Sequence, residues 1–194
     1  VPPMPPTPTF QTGQISLRPF TREDAPDLLA ILNHPDLAGR NYIPWDFSQD
    51  LPLTLAQAEK IIGQWAEKEA GFCYAVILNE SQQLIGHAEV DQSWDPHMSN
   101  CAVTIAPSFQ RQGYGGQALT LLLDYLYNFT VAHNVSHWIA DWNTPAQAFV
   151  QKFGFRQAGV IRRNSFRGGK YSDAIYFDLL RPEWKAVSYT HLRA

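Results

Sequence analysis

The sequence predicts a mixed α/β (α+β) fold: a single domain built on a largely antiparallel sheet with helices on both faces. Three observations carry this reading. The apolar pattern switches between a period of two and a period near 3.6 along the chain, in the order β α α β β β α β α β β. Three strands follow one another with no helix between them, which excludes a regular doubly wound fold. The last two strands flank a Gly-Gly turn and close as a hairpin.

Each element has a local reason. Ile15–Phe20 alternates and reads as the first strand. Thr21-Arg-Glu-Asp24 sets a hydroxyl three residues before a carboxylate, a variant capping box, and Leu28, Leu29, Ile31 and Leu32 supply a helical stripe. Thr54-x-x-Gln57 is a second box, opening a helix with Ala58, Ile61, Ile62 and Trp65 on one side. Between these helices lies a loop rich in Pro, Gly and aromatic residues. Phe72–Leu78 and Leu84–Gln92 form a hairpin around the turn Asn79–Gln83. Asp95-Pro96-His97 breaks the chain, Asn100–Ala106 is the next strand, and Pro107 stops it. A Gly-rich turn over Gln110–Gly116 leads to a helix over Leu119–Phe129. Val135–Trp142 is a strand, and Pro145–Lys152 a helix ended by Gly154. Phe155–Asn164 and Tyr171–Leu180 close the sheet around Arg167-Gly168-Gly169-Lys170.

A length of 194 residues allows one domain of ordinary size. Hydrophobic residues make up 45% and charged residues 17%, enough for a core and too few charges for a coiled coil or a disordered chain. With a net charge of -3 and a pI near 6.0, electrostatic binding to nucleic acid has no support. No apolar run reaches bilayer length, so no membrane partner is expected. Cys73 and Cys101 match no zinc or redox spacing; no metal and a reducing, cytoplasmic setting are expected. Residues 1–14 read as a Pro-rich flexible arm, 15–185 as the folded domain, and 186–194 as a tail resembling translated sequencing adapter, a non-native scar.

The turn Gln110, Arg111, Gln112, Gly113, Tyr114, Gly115, Gly116 follows a strand and precedes a helix. Its glycines let backbone N–H groups converge at a helix N-terminus, a site for phosphate or pyrophosphate, with Arg111 adding charge. The plainer reading is a connection whose glycines only relieve strain. Gly113-Tyr-Gly-Gly-Gln-Ala118 also fits the dinucleotide pattern G-x-G-x-x-[GA], so an NAD(P)- or FAD-binding oxidoreductase is a rival. Against it, Ser108–Gln112 separate strand from glycine, and the run of βα units is missing.

Gln110-Arg-Gln-Gly-Tyr-Gly115 matches the [QR]-x-x-G-x-[GA] signature of the GCN5-related N-acetyltransferases. Asn143 to Gly154-Phe155 resembles that family's N-x-x-[SA]-x-x-x-x-x-x-x-G-F helix, and the ending from Gly159 to Trp184 resembles its ribosomal-protein-alanine acetyltransferase-like branch. The resemblance covers roughly Ile15 to Trp184. It implies a splayed central strand pair and acetyl-CoA as acyl donor. Val103, Thr104 and Ile105 would offer backbone groups to the pantetheine arm, which adds like a strand between Asn100–Ala106 and Val135–Trp142. Residues Gln110 to Gly116 would hold the pyrophosphate. Asn143 would hydrogen-bond near the pantetheine, or cap its helix, or both. The implied reaction is acetyl transfer to a primary amine: a protein N-terminus, a polyamine or another small amine. An acyl-CoA-binding module without catalysis is a third reading. The protein is expected as a monomer or homodimer.

The chain departs from the family's pattern at catalytic positions. Asn100 stands where many members have a Glu base, Val150 where many have a Tyr acid, and Ala146 where the N-terminal-acetylating branch often has Ser. Ile85, His87, Glu89 and Asp91 share one face of their strand by the period of two. That face is either solvated or carries the base, Glu89 first and Asp91 second. Tyr42, Trp45 and Trp94 are candidates to wall the acceptor pocket, with Asp46, Asp91 and Asp95 to attract a cationic amine; the aromatics alternatively pack under a loop.

Overall fold

The computed structural model describes residues 10–37, 52–167 and 169–184. The chain divides into two compact units, residues 1–90 with 102–122, and residues 91–101 with 123–194. Strands β1 (Phe10–Gln11), β2 (Ile15–Pro19), β3 (Gly71–Leu78), β4 (Leu84–Asp95) and β5 (Met98–Ile105) lie in that order, with β1–β2 and β2–β3 antiparallel. β4 and β5 each run through both units.

In the first unit, a 3-10 turn over Arg22–Asp24 leads into α1 (Ala25–Leu32), and α2 (Leu55–Ala66) follows. Both expected capping boxes form. The Asp24 carboxylate accepts from the Thr21 N–H at 2.7 Å and is gripped by Arg18 at 2.7 and 2.8 Å. Burial pushes the Asp24 carboxyl up, but Arg18 and Thr21 outweigh it and hold it below its ordinary value. The apolar stripe of α2, Ala58, Ile61, Ile62 and Trp65, is buried as its spacing predicts, and Trp65 packs on Phe20 with centroids 5.3 Å apart. The core of this unit is Phe20, Leu28, Leu32, Ile62, Ala75 and Ile77 with their neighbours.

Strand β1 lies within the segment expected as a flexible arm. It pairs Phe10 with Leu17, and the Phe10 ring stacks on Phe72 at 5.8 Å. Thr12 beyond it donates its hydroxyl to Gln117 Oε1 at 2.8 Å.

The second unit holds β6 (Asn134–Ala140), α4 (Thr144–Lys152), β7 (Arg156–Arg167) and β8 (Lys170–Leu180). Its order is β5-β6-β8-β7; β5–β6 is parallel and the other pairs are antiparallel. The core includes Leu126, Tyr127, Val135, Phe177 and Leu179, and the Tyr127 hydroxyl donates to the Leu179 carbonyl. Helix α3 (Tyr114–Phe129) begins in the first unit and ends in the second. No helix among the described residues is long and apolar enough to cross a membrane.

Candidate active site

The Gly-rich turn takes an unusual backbone path. A 3-10 turn over Pro107–Phe109 ends β5's run, and Arg111 and Gly113 then adopt φ of 61° and 89°. Arg111 is not glycine, so its left-handed conformation costs roughly 1–2 kcal/mol. Two flanking amides hold it: Gln110 Nε2 donates to the Ile105 carbonyl at 2.8 Å, and Gln112 Nε2 to the Ser108 carbonyl at 3.1 Å. The side chains of Gln110 and Gln112 thus brace the loop.

Helix α3 starts five residues earlier than the apolar run predicts. Gln117 N–H bonds to the Gly113 carbonyl at 3.1 Å, so Tyr114, Gly115 and Gly116 form the first helical turn, where backbone N–H groups have no intrahelical acceptor. Gly113 is exposed and a Cβ there would meet nothing within 4 Å. Arg111 is exposed beside it. An exposed turn thus leads into a helix N-terminus, with the exposed Arg111 two residues before Gly113, features that suit a phosphate.

Strand β5 supplies the edge leading to this turn. Val103 is half-buried, Thr104 and Ile105 are buried, and the Ile105 carbonyl is the one bound by Gln110. Gly86 of β4 faces them: a Cβ there would lie 2.1 Å from the Thr104 carbonyl oxygen. The two backbones touch at that point, and no side chain fits between them. Periodicity does not reveal Gly86, because a glycine inside an apolar run has no pattern of its own.

Farther along β4, the face carrying Ile85, His87 and Glu89 is buried, with His87 1% and Glu89 7% exposed. The solvated reading of that face therefore fails for those residues. Lys68, which spacing did not single out, places Nζ 3.8 Å from Glu89 Oε1. In the second unit, Asp91 is half-buried and accepts from the Ser93 N–H at 2.8 Å. Trp94 stands 88% exposed near the β4–β5 turn, and Asp95 accepts from the His97 N–H at 2.8 Å. Tyr42, Trp45 and Asp46 lie outside the described residues.

The parallel ladder of β5 and β6 spans Met98 to Asn100 against Asn134 to Ser136. Side chains take over at its end. Ser136 Oγ donates to Asn100 Oδ1 at 3.0 Å, and the His137 ring bonds the Cys101 backbone. Burial pushes His137 down to about 4, so this ring is neutral near pH 7. Burial pushes the free Cys101 thiol up to about 12, which leaves it inert. Asn143 caps α4, its Oδ1 accepting from the Ala146 N–H at 3.4 Å, and Val150 is buried. The Gly154-Phe155 pair ends α4 as a Schellman motif: Gly154 has φ 89°, and the N–H groups of Phe155 and Gly154 return to Val150 and Gln151.

Comparison with known proteins fits this geometry. A family model described as an acetyltransferase (GNAT) domain matches residues 14–156. An uncharacterized N-acetyltransferase of Bacillus subtilis (strain 168), YnaD, is 25% identical over 111 residues, 57% of this chain. The match spans 65% of that relative, just under two thirds of its length. Among solved structures, a GCN5-related N-acetyltransferase from Brucella melitensis superposes with a TM-score of 0.78 at 20% identity, over 98% of this chain and 86% of that one. A spermidine N-acetyltransferase from Vibrio cholerae, solved with CoA and spermine, gives 0.77 at 19% identity, over 90% of this chain and 99% of that one. At such identities the superpositions speak for the fold alone. The family match disfavours the dinucleotide reading of the glycine turn.

Proposed function

The chain belongs to the GNAT acetyltransferase family, and from that premise we propose that it moves the acetyl group of acetyl-CoA to a primary amine by direct attack in a ternary complex. The observation that supports this is the start of α3 behind an exposed Gly113 and Arg111, where first-turn backbone N–H groups would meet a pyrophosphate. In this reading the backbone of Val103 and Thr104 receives the pantetheine arm, and one of their N–H groups stabilises the tetrahedral oxyanion. Ile105 contributes less, since Gln110 binds its carbonyl. Asn143 adds a hydrogen bond near the pantetheine beside its capping role.

The amine arrives as an ammonium with a pKa near 10 and must lose a proton before it attacks. Glu89 takes that proton through water. It is buried yet sits beside a cation, which favours the carboxylate. The amine nitrogen then bonds to the thioester carbon, the tetrahedral intermediate collapses, and the C–S bond breaks. With a thiol pKa near 8.5, the departing sulfur is a tolerable leaving group without an acid. That suits Val150, which has no proton to give. The acceptor class follows the resemblance of the C-terminal segment to the ribosomal-protein-alanine branch: protein N-termini first, polyamines and other small amines next.

Thiol release from acetyl-CoA tests this across polyamines, aminoglycosides and peptides starting with Ala or Ser. Glu89→Gln should lower turnover by about 100-fold, the low end for a general base, while leaving acetyl-CoA affinity intact. A wild-type pH–rate profile in that variant removes Glu89 as the base. Silence across the whole panel, with acetyl-CoA still bound, points to a binding module.

A further inference from the structure

We propose that Lys68 is a positioning residue that keeps Glu89 ionised, so that a carboxylate removed from water still accepts a proton at neutral pH. This deepens the reading of Glu89 as base and rests on it. Helix α2 ends at Ala66, and its last turn carries over into Lys68, whose N–H bonds to the Trp65 carbonyl at 3.3 Å. Glu67 and Glu69 on either side are exposed, whereas the Lys68 side chain is 21% exposed and Glu89's is 10%. In the sequence Glu67-Lys68-Glu69, the acidic neighbours face water and the cation turns inward.

Burial alone drives a carboxyl toward its neutral form, which cannot serve as a base. An ammonium within 4–6 Å has the opposite effect. The 3.8 Å separation is longer than a hydrogen bond. Lys68 therefore supplies charge rather than a hydrogen bond. Among the described residues, the other titratable groups within two residues of Glu89 on its own strand and on β3 and β5 of its unit are these. His87 and Asp91 lie two residues away on its own strand. β3 carries Cys73 and Tyr74, and the β5 residues of the same unit, Ala102 to Ile105, carry none. Among the described residues, Lys68 is thus the cation placed beside Glu89, and nothing in the family signature calls for it.

The test is a carbon-detected NMR titration of the glutamate carboxyls, with the Glu89 signal assigned by its loss in Glu89→Gln. Lys68→Met should move the Glu89 midpoint upward by about one to two pH units. Lys68→Arg should restore it, since the charge returns. The acid limb of kcat/KM, measured with the amine that turns over fastest in the panel above, should move with the midpoint. An unmoved Glu89 midpoint in Lys68→Met overturns the inference. Should Lys68→Met fail to fold by thermal melt, Lys68→Gln is read the same way. If the midpoint moves but Glu89→Gln keeps the wild-type acid limb, the reading of Glu89 as base fails, and with it the proton-accepting role assigned to the pair.

Discussion

The starts of α2 and α3 are built in opposite ways. At α2 the chain caps itself: Thr54 Oγ1 accepts from the Gln57 N–H at 3.3 Å, and Gln57 Oε1 accepts from the Thr54 N–H at 2.8 Å. At α3 the corresponding residue is Gly113, which has no side chain to offer, and it is exposed. Helix α4 sides with α2, since Asn143 accepts from Ala146. A self-capped start has spent its donors on the fold. On the reading proposed above, the start of α3 keeps them for a pyrophosphate, with glycines clearing the approach. The difference, among the described helices, is between starts closed by their own side chains and a start with a glycine in that place.

The sharpest way to break this contrast is Gly115→Val, which sets a branched side chain over the first turn of α3. Acetyl-CoA affinity should fall by about 100-fold, roughly 3 kcal/mol. Unchanged affinity by calorimetry would take the turn out of the site. Next in size are the self-capped starts. Thr54→Ala and Asn143→Ala should each cost about 1 kcal/mol of stability, or about 2–4 °C in Tm for a chain of this length. Thr54→Ala should leave acetyl-CoA affinity alone. An Asn143→Ala variant that loses stability but no affinity would strip Asn143 of its pantetheine role.

The smallest effect concerns the capped start ahead of α1. Asp24 is held below its ordinary value, so its contribution to stability is fully present above the unfolded pKa, about pH 4. It is lost as pH falls through the lower folded value. Thermal melts between pH 2 and pH 5 should show this fall, and Asp24→Asn should flatten it. An equally steep fall in the variant would assign the acid sensitivity to other carboxyls.

Local signals were the most legible. Both capping boxes and the buried stripe of α2 formed as spelled, because each depends on residues within a turn or two. Strand β1 escaped notice because two residues cannot show alternation; it exists because Phe10 packs against Phe72. The start of α3 was hidden by Gly115 and Gly116, which weaken any helical pattern they begin. Of the candidate site, the Gly-rich turn between β5 and α3 was readable from its glycines. The Lys68–Glu89 pair was not, since the two residues meet only through the placement of α2's end beside β4. The serine and histidine that finish the β5–β6 ladder were equally unreadable, because their partners are set by strand register.

The contact between Gly86 and the Thr104 carbonyl bears on how this gene can change. Every missense change of a glycine codon adds at least a Cβ, and at this position the first carbon already collides with backbone. Codon 86 has no neighbouring codon for another amino acid that fits, so the close approach of β4 and β5 at this point leaves the position no alternative to glycine.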